Sequence, residues 1–186
     1  MRLRIRRWAA GLLAAVFISE IAAQETCTAC HGPGGNSVIS GTPSIAGQPK
    51  LFIENQLVLI REELRPSPQM LPIVKGMKDA EIVLLAEHFS KLRAKSMETG
   101  TPDPKVVQRG LERANALRCG VCHVADFKGQ SQVPRLASQR SEYLSAEMRA
   151  YRDGKRKGGD TIMAAALYGV SDSDIEAMAQ FLSRLP

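Results

Sequence analysis

Beyond its first two dozen residues the chain has no apolar run that approaches the ~20 residues a membrane span requires. It also has no stretch of alternating β-branched residues, the pattern of half-buried strands. Cysteine is confined to two pentapeptides, and His88 is the one histidine outside them. These absences argue against a β-built body, against a membrane-embedded one, and against any thiol kept for a separate use. The basic surplus is mostly at the start of the chain. Four arginines and one glutamate fall within residues 1–23, and without them the formal charge drops from +6 to +3. Nucleic-acid binding therefore has no support.

What is present is a pattern that occurs twice, Cys27-Thr28-Ala29-Cys30-His31 and Cys119-Gly120-Val121-Cys122-His123. Cys-x-x-Cys-His is the attachment signature of c-type haem. One turn of chain aims two sulfurs at the two vinyl groups of a porphyrin, and the adjacent imidazole reaches the iron from the same side. Zinc is the competing use of paired cysteines. Paired zinc knuckles lie roughly 15–20 residues apart, whereas 88 residues separate Cys30 from Cys119. Zinc also leaves the two following histidines unexplained, and a thioredoxin-like pair needs a βαβ context that is missing. Four propionates would bring a surface of charge +3 close to neutral or slightly acidic.

The N-terminus reads as an export signal. Arg2, Arg4, Arg6 and Arg7 precede an apolar stretch from Trp8 to Ile18, and Ile21-Ala22-Ala23 offers small residues for cleavage. Residues 1–23 are thus expected to be removed, with a retained anchor as the alternative. Export suits the cysteines, because c-type haem is attached outside the cytoplasmic membrane in a bacterial layout, where free thiols tend to pair.

The rest is an internal duplication. Thr42-Pro43-Ser44-Ile45-Ala46-Gly47-Gln48 aligns with Val133-Pro134-Arg135-Leu136-Ala137-Ser138-Gln139, and Phe52 with Tyr143. The segment from Met70 to Ile82 aligns with that from Met163 to Ile175. From motif histidine to matched methionine is 39 residues in one copy and 40 in the other. Gly100 and the prolines of Thr101-Pro102-Asp103-Pro104 mark a linker at about 94–104. Two domains, 24–98 and 99–186, are expected. Helical spacing places Leu51, Phe52, Leu57, Val58 and Leu64 on one side of 49–64. A second helix, 79–92, carries Ile82, Leu85, Ala86 and Phe89, with Asp79 as its cap. The counterparts of these two helices are 143–151 and 172–185, and Pro104 opens a further helix to Arg118. Cores this small need a staple, which a covalent porphyrin supplies. The expected fold class is all-α, two tandem domains each built around one haem.

With these motifs the chain resembles the dihaem cytochromes c of the cytochrome c4 type over nearly everything after the signal. The resemblance implies two class I cytochrome c folds joined by a short linker, two covalently bound haem c groups, and a periplasmic electron carrier. Cys27, Cys30, Cys119 and Cys122 would hold the porphyrins. His31 and His123 would be proximal ligands, and Met70 and Met163 the ligands on the opposite faces. Pro43 and Pro134 match the proline whose carbonyl accepts a hydrogen bond from the ligating imidazole, a contact that orients the ring and tunes the metal. The first copy departs from the pattern: only Gln24, Glu25 and Thr26 stand between the expected cut and Cys27. Either its N-terminal helix is missing or the segment from Trp8 to Ala23 takes that place.

The residues also argue for the methionines directly. Thioether is a soft ligand, and His/Met ligation raises the haem potential. Met148 and Met178 sit at helical-core spacing and Met97 in the linker. Met77 competes with Met70, but its counterpart is Val170, which cannot bind iron. His88 reads as a structural or surface residue. The basic run from Arg149 to Lys157 would lie near a haem crevice, where it could steer an acidic partner; the alternative is a solvated surface. Arg65 and Arg156 occupy matching loop positions, as propionate contacts by the resemblance or as exposed arginines. The expected function is one-electron transfer between a donor dehydrogenase or quinol-oxidising complex and a terminal acceptor such as an oxidase. The alternatives are a cytochrome subunit of a sulfur-compound or alcohol dehydrogenase, or a dihaem peroxidase.

Overall fold

The computed structural model describes residues 24–159 and 161–186. The expected signal, and the segment from Trp8 to Ala23 as a substitute helix, lie outside the described residues. Residues 24–31 are helical (α1) and run into a 3-10 turn at Pro33–Gly35. Helices α2 (Lys50–Arg61), α3 (Leu71–Val74) and α4 (Asp79–Ser90) complete the first repeat. The second comprises α5 (Pro104–Ala116), α6 (Cys119–Cys122), α7 (Ser141–Arg152), α8 (Thr161–Leu167) and α9 (Asp172–Leu182). One isolated bridge, Gln130 with Val133, is the only β pairing among the described residues. The all-α expectation holds.

Capping residues set several of the boundaries. Asp103 caps α5 by accepting from the Lys105 N–H at 2.8 Å, with Pro104 at the first helical position. Ser171 caps α9 through the Asp174 N–H at 3.1 Å. At α4 the expectation fails. Lys78 is the capping residue, its N–H donating to the Glu81 carboxylate at 2.7 Å. Asp79, one residue inside, instead accepts from Arg61 at 2.8 Å. The α2 face is also turned from the expected one. Ile53, Leu57 and Ile60 face the core, while Leu51 and Leu64 are exposed. Those inward positions recur at four and three residues, a tighter match to the helical period than the expected set.

The two cores differ in size. Twelve buried apolar residues form the second, from Ala114 on α5 to Leu182 on α9. Among the described residues the first has a four-residue cluster, Ile53, Leu85, Ala86 and Phe89, with Ile60, Val74 and Ile82 also buried. Among the described residues the α5–α9 crossing is the most extensive helix contact. It depends on Gly110, where a Cβ would sit 2.1 Å from the Ala177 carbonyl oxygen.

The repeats meet through two reciprocal side-chain clasps. The Ser44 N–H donates to Gln139 Oε1 at 2.7 Å, and Gln139 Nε2 donates to the Ser44 carbonyl at 2.8 Å. Arg135 N–H and Gln48 Oε1, and Gln48 Nε2 and the Arg135 carbonyl, repeat that pair at 2.9 Å each. Both glutamines are buried. Because Ser44 aligns with Arg135 and Gln48 with Gln139, the interface reproduces the duplication as a pseudo-twofold relation.

Candidate haem crevices

A single cavity of about 890 Å³ runs between the repeats, with a largely apolar wall. It is lined from one side by Cys27, His31 and Met70 and from the other by Cys122, His123 and Met163. α1 and α6 carry the motif cysteines. Cys27 and Cys119 are half-buried against the two cores, Cys30 and Cys122 are exposed, and no two of the four are joined. Burial pushes the thiols of Cys27 and Cys119 above their ordinary value.

Both motif histidines are buried. His31 Nδ1 lies 2.8 Å from the Pro43 carbonyl oxygen, and His123 Nδ1 lies 2.8 Å from that of Pro134. A carbonyl can only accept, so each Nδ1 carries the proton and Nε2 keeps its lone pair. Burial lowers both imidazole pKa values, against a smaller upward pull from the proline carbonyl. The rings are therefore neutral and fixed in the tautomer that suits a metal ligand.

Met70 precedes α3, and Met163 lies on α8 against the second core. Met77 also reaches the cavity wall but packs into the first core, as its counterpart Val170 does in the second. Two neutral imidazoles, two thioethers and one thiol of each motif on the wall of an apolar cavity form a donor set that fits covalently attached haem with soft axial ligation. Of the eight sequence-derived residues, Cys27, His31, Met70, Cys122, His123 and Met163 line this cavity, and Cys30 and Cys119 do not. Among the described residues no group of three or more His, Cys, Asp or Glu side chains could hold a bare metal ion.

Arg65 and Arg156 are not exposed arginines, with side chains 15% and 8% accessible. They face each other across the repeats in a four-membered ring. Arg65 donates to Gln56 at 2.7 Å and Glu147 at 3.2 Å; Arg156 donates to Glu147 and, at 3.1 Å, to Gln56. Gln56 and Glu147 are themselves repeat counterparts. Arg65 also donates to the Tyr143 hydroxyl at 3.1 Å, whose pKa burial pushes up. Two guanidiniums against one carboxylate leave a cationic excess on the cavity wall, suited to propionates. The signal for this ring was the matched Arg pair; periodicity within one helix gives no sign of a partner about 80 residues away.

The basic run is largely neutralised. Arg149 pairs with Asp172 and Glu176, Arg152 with Asp153 and Asp172, and Arg156 with Glu147. Lys155 and Lys157 remain exposed, Lys155 at 4.0 Å from Asp153. As a steering patch the run keeps little of the charge its sequence suggests.

The Cytochrome c family matches residues 107–186. Cytochrome c4 of Thiocapsa roseopersicina is 30% identical, the match covering 89% of this chain and 90% of that protein. A protein of Thiomonas intermedia (strain K12) described as thiosulfate dehydrogenase electron acceptor is 29% identical over 87% of this chain and 79% of its own length. Among solved structures, reduced recombinant cytochrome c4 from Pseudomonas stutzeri superimposes with a TM-score of 0.79 at 27% identity. That superposition covers 90% of this chain and 98% of the other.

Proposed function

The chain belongs to the cytochrome c4 family of electron carriers, and on that premise we propose that it is a periplasmic dihaem cytochrome passing single electrons between a donor complex and an acceptor. Cys27 and Cys30 attach one haem and Cys119 and Cys122 the other. His31 with Met70, and His123 with Met163, take the axial positions. The domains are 24–98 and 99–186, and residues 1–23 are the export signal. Bound haem supplies a ferrous–ferric couple at each site. The protein's own part is to hold each imidazole neutral and oriented, place a thioether opposite it, and wall the site with apolar side chains.

The observation that carries this reading is the pair of buried imidazoles on one shared cavity, each tied by Nδ1 to a proline carbonyl. Among the described residues no helix is long and apolar enough to cross a membrane. The test is spectroelectrochemical titration of natively matured protein. Two one-electron steps, both from low-spin His/Met haem and unchanged by carbon monoxide or peroxide, are the expected result. A high-spin or peroxide-reactive haem would turn the reading towards catalysis.

A second reading, as the cytochrome partner of a sulfur-compound dehydrogenase, is favoured by the relatives described as thiosulfate dehydrogenase electron acceptors. Rapid reduction by such an enzyme with thiosulfate, set against slow reduction by a quinol-oxidising complex, would select it.

A further inference from the structure

The clasps between the repeats meet the ligand histidines at a single peptide group. The Pro43–Ser44 peptide accepts from His31 Nδ1 through its carbonyl and donates through its N–H to Gln139 Oε1 of the second repeat. The Pro134–Arg135 peptide does the same between His123 and Gln48 of the first. Each imidazole is thus joined, through one polarisable amide, to a buried glutamine of the opposite repeat. All four bonds are between 2.7 and 2.9 Å. Hydrogen bonds in series polarise one another, and more so in a low-dielectric interior. An acceptor on the peptide N–H makes its carbonyl a better acceptor, and that draws the Nδ1 proton and raises the electron donation of Nε2.

We propose that Gln139 and Gln48 are positioning residues that act across the interface, Gln139 setting the potential of the site held by His31 and Gln48 that of the site held by His123. The relay rests on the haem reading above. It makes contact between the repeats part of the tuning of each site, so a change at the interface is felt as a change in potential on its far side. Gln139 sits in the second repeat, yet the second repeat's own histidine is served by Gln48.

The test is a pair of opposed substitutions in the full, natively matured protein. Both substitutions lose the Nε2 donor to the Ser44 carbonyl, but Gln139→Leu also removes the acceptor, at similar volume, whereas Gln139→Glu keeps an acceptor and strengthens it. The relay predicts that Gln139→Leu raises the potential of the His31 site and moves the His31 Nδ1–H proton resonance upfield. Gln139→Glu is predicted to lower that potential and move the resonance downfield. His123 and its site are predicted to respond weakly, and Gln48→Leu to give the mirror result. Simple loosening of the interface would drive both substitutions in one direction and both sites together. That outcome overturns the relay, as does a response confined to the substituted repeat or none at all. The unmodified protein separates the two claims: without two low-spin His/Met haems there, the proposed function and the relay both fall. With them present and no crossed response, the relay alone is overturned.

Discussion

The two repeats hold their motif histidines alike and differ in how they are supported. In the second, α5 lies across α9 so closely that Gly110 meets the Ala177 backbone, and Ala177 is 1% exposed. In the first, the position on α4 aligned with Ala177 is Leu84, 50% exposed, next to Val83 at 42%. Yet His31 and His123 are held at the same distance from their prolines. Core size and ligand geometry are therefore separable, because the geometry depends on a loop peptide clasped by the other repeat. The smaller core gains part of its definition from its neighbour.

That contrast can be broken most sharply at Phe89, which is 1% exposed in the core cluster of the first repeat. Phe89→Ala should cost about 3–5 kcal/mol. Urea unfolding followed at each site's Met-ligation band should then show the first repeat lost while the second persists. Even without substitution the first repeat is expected to unfold first; the reverse order would contradict the comparison. Gly110→Ala attacks the other side, forcing α5 off α9 at about 1–3 kcal/mol. The same titration should register that change in the second repeat.

A smaller effect belongs to Asp174, which binds Arg109 at 2.7 Å and Arg113 at 3.1 Å. Burial alone would raise its pKa, but bonds from Arg109 and Ser171 and the charge of Arg113 outweigh this and hold it below 3.8. The folded state therefore binds this proton less readily than the unfolded chain. The contribution is full above the unfolded value and is lost as pH falls through the folded one. Asp174→Asn should remove about 0.5–1 kcal/mol from the second repeat, a difference visible in urea midpoints at pH 7 that shrinks as the pH is lowered into the acid range. The least effect is expected at Leu84. Leu84→Gln should alter the midpoint of the first repeat by no more than about 0.5 kcal/mol, whereas Ala177→Gln should disrupt the α5–α9 contact.

Features with a local signature were legible in the sequence. Both motifs, the matched methionines, the α4 core face and the proline that opens α5 follow from short-range spacing. Pro43 and Pro134 were placed by resemblance, and the structure puts their carbonyls on the histidines. What was missed is long-range. Matched glutamines were visible at positions 48 and 139, but nothing local says that each closes on the other repeat's backbone. Arg149 and Arg152 look free in sequence because their carboxylate partners on α9, Asp172 and Glu176, are far along the chain. The inward turn of α2 escaped because Leu51 and Leu64 imitate a helical face that its packing against α4 does not use.

Intact-mass analysis of natively matured protein, combined with thiol alkylation, tests the central claim most directly. The account predicts a mass increased by two porphyrins and no alkylation at Cys27, Cys30, Cys119 or Cys122. An unaltered polypeptide mass with four reactive thiols would contradict it.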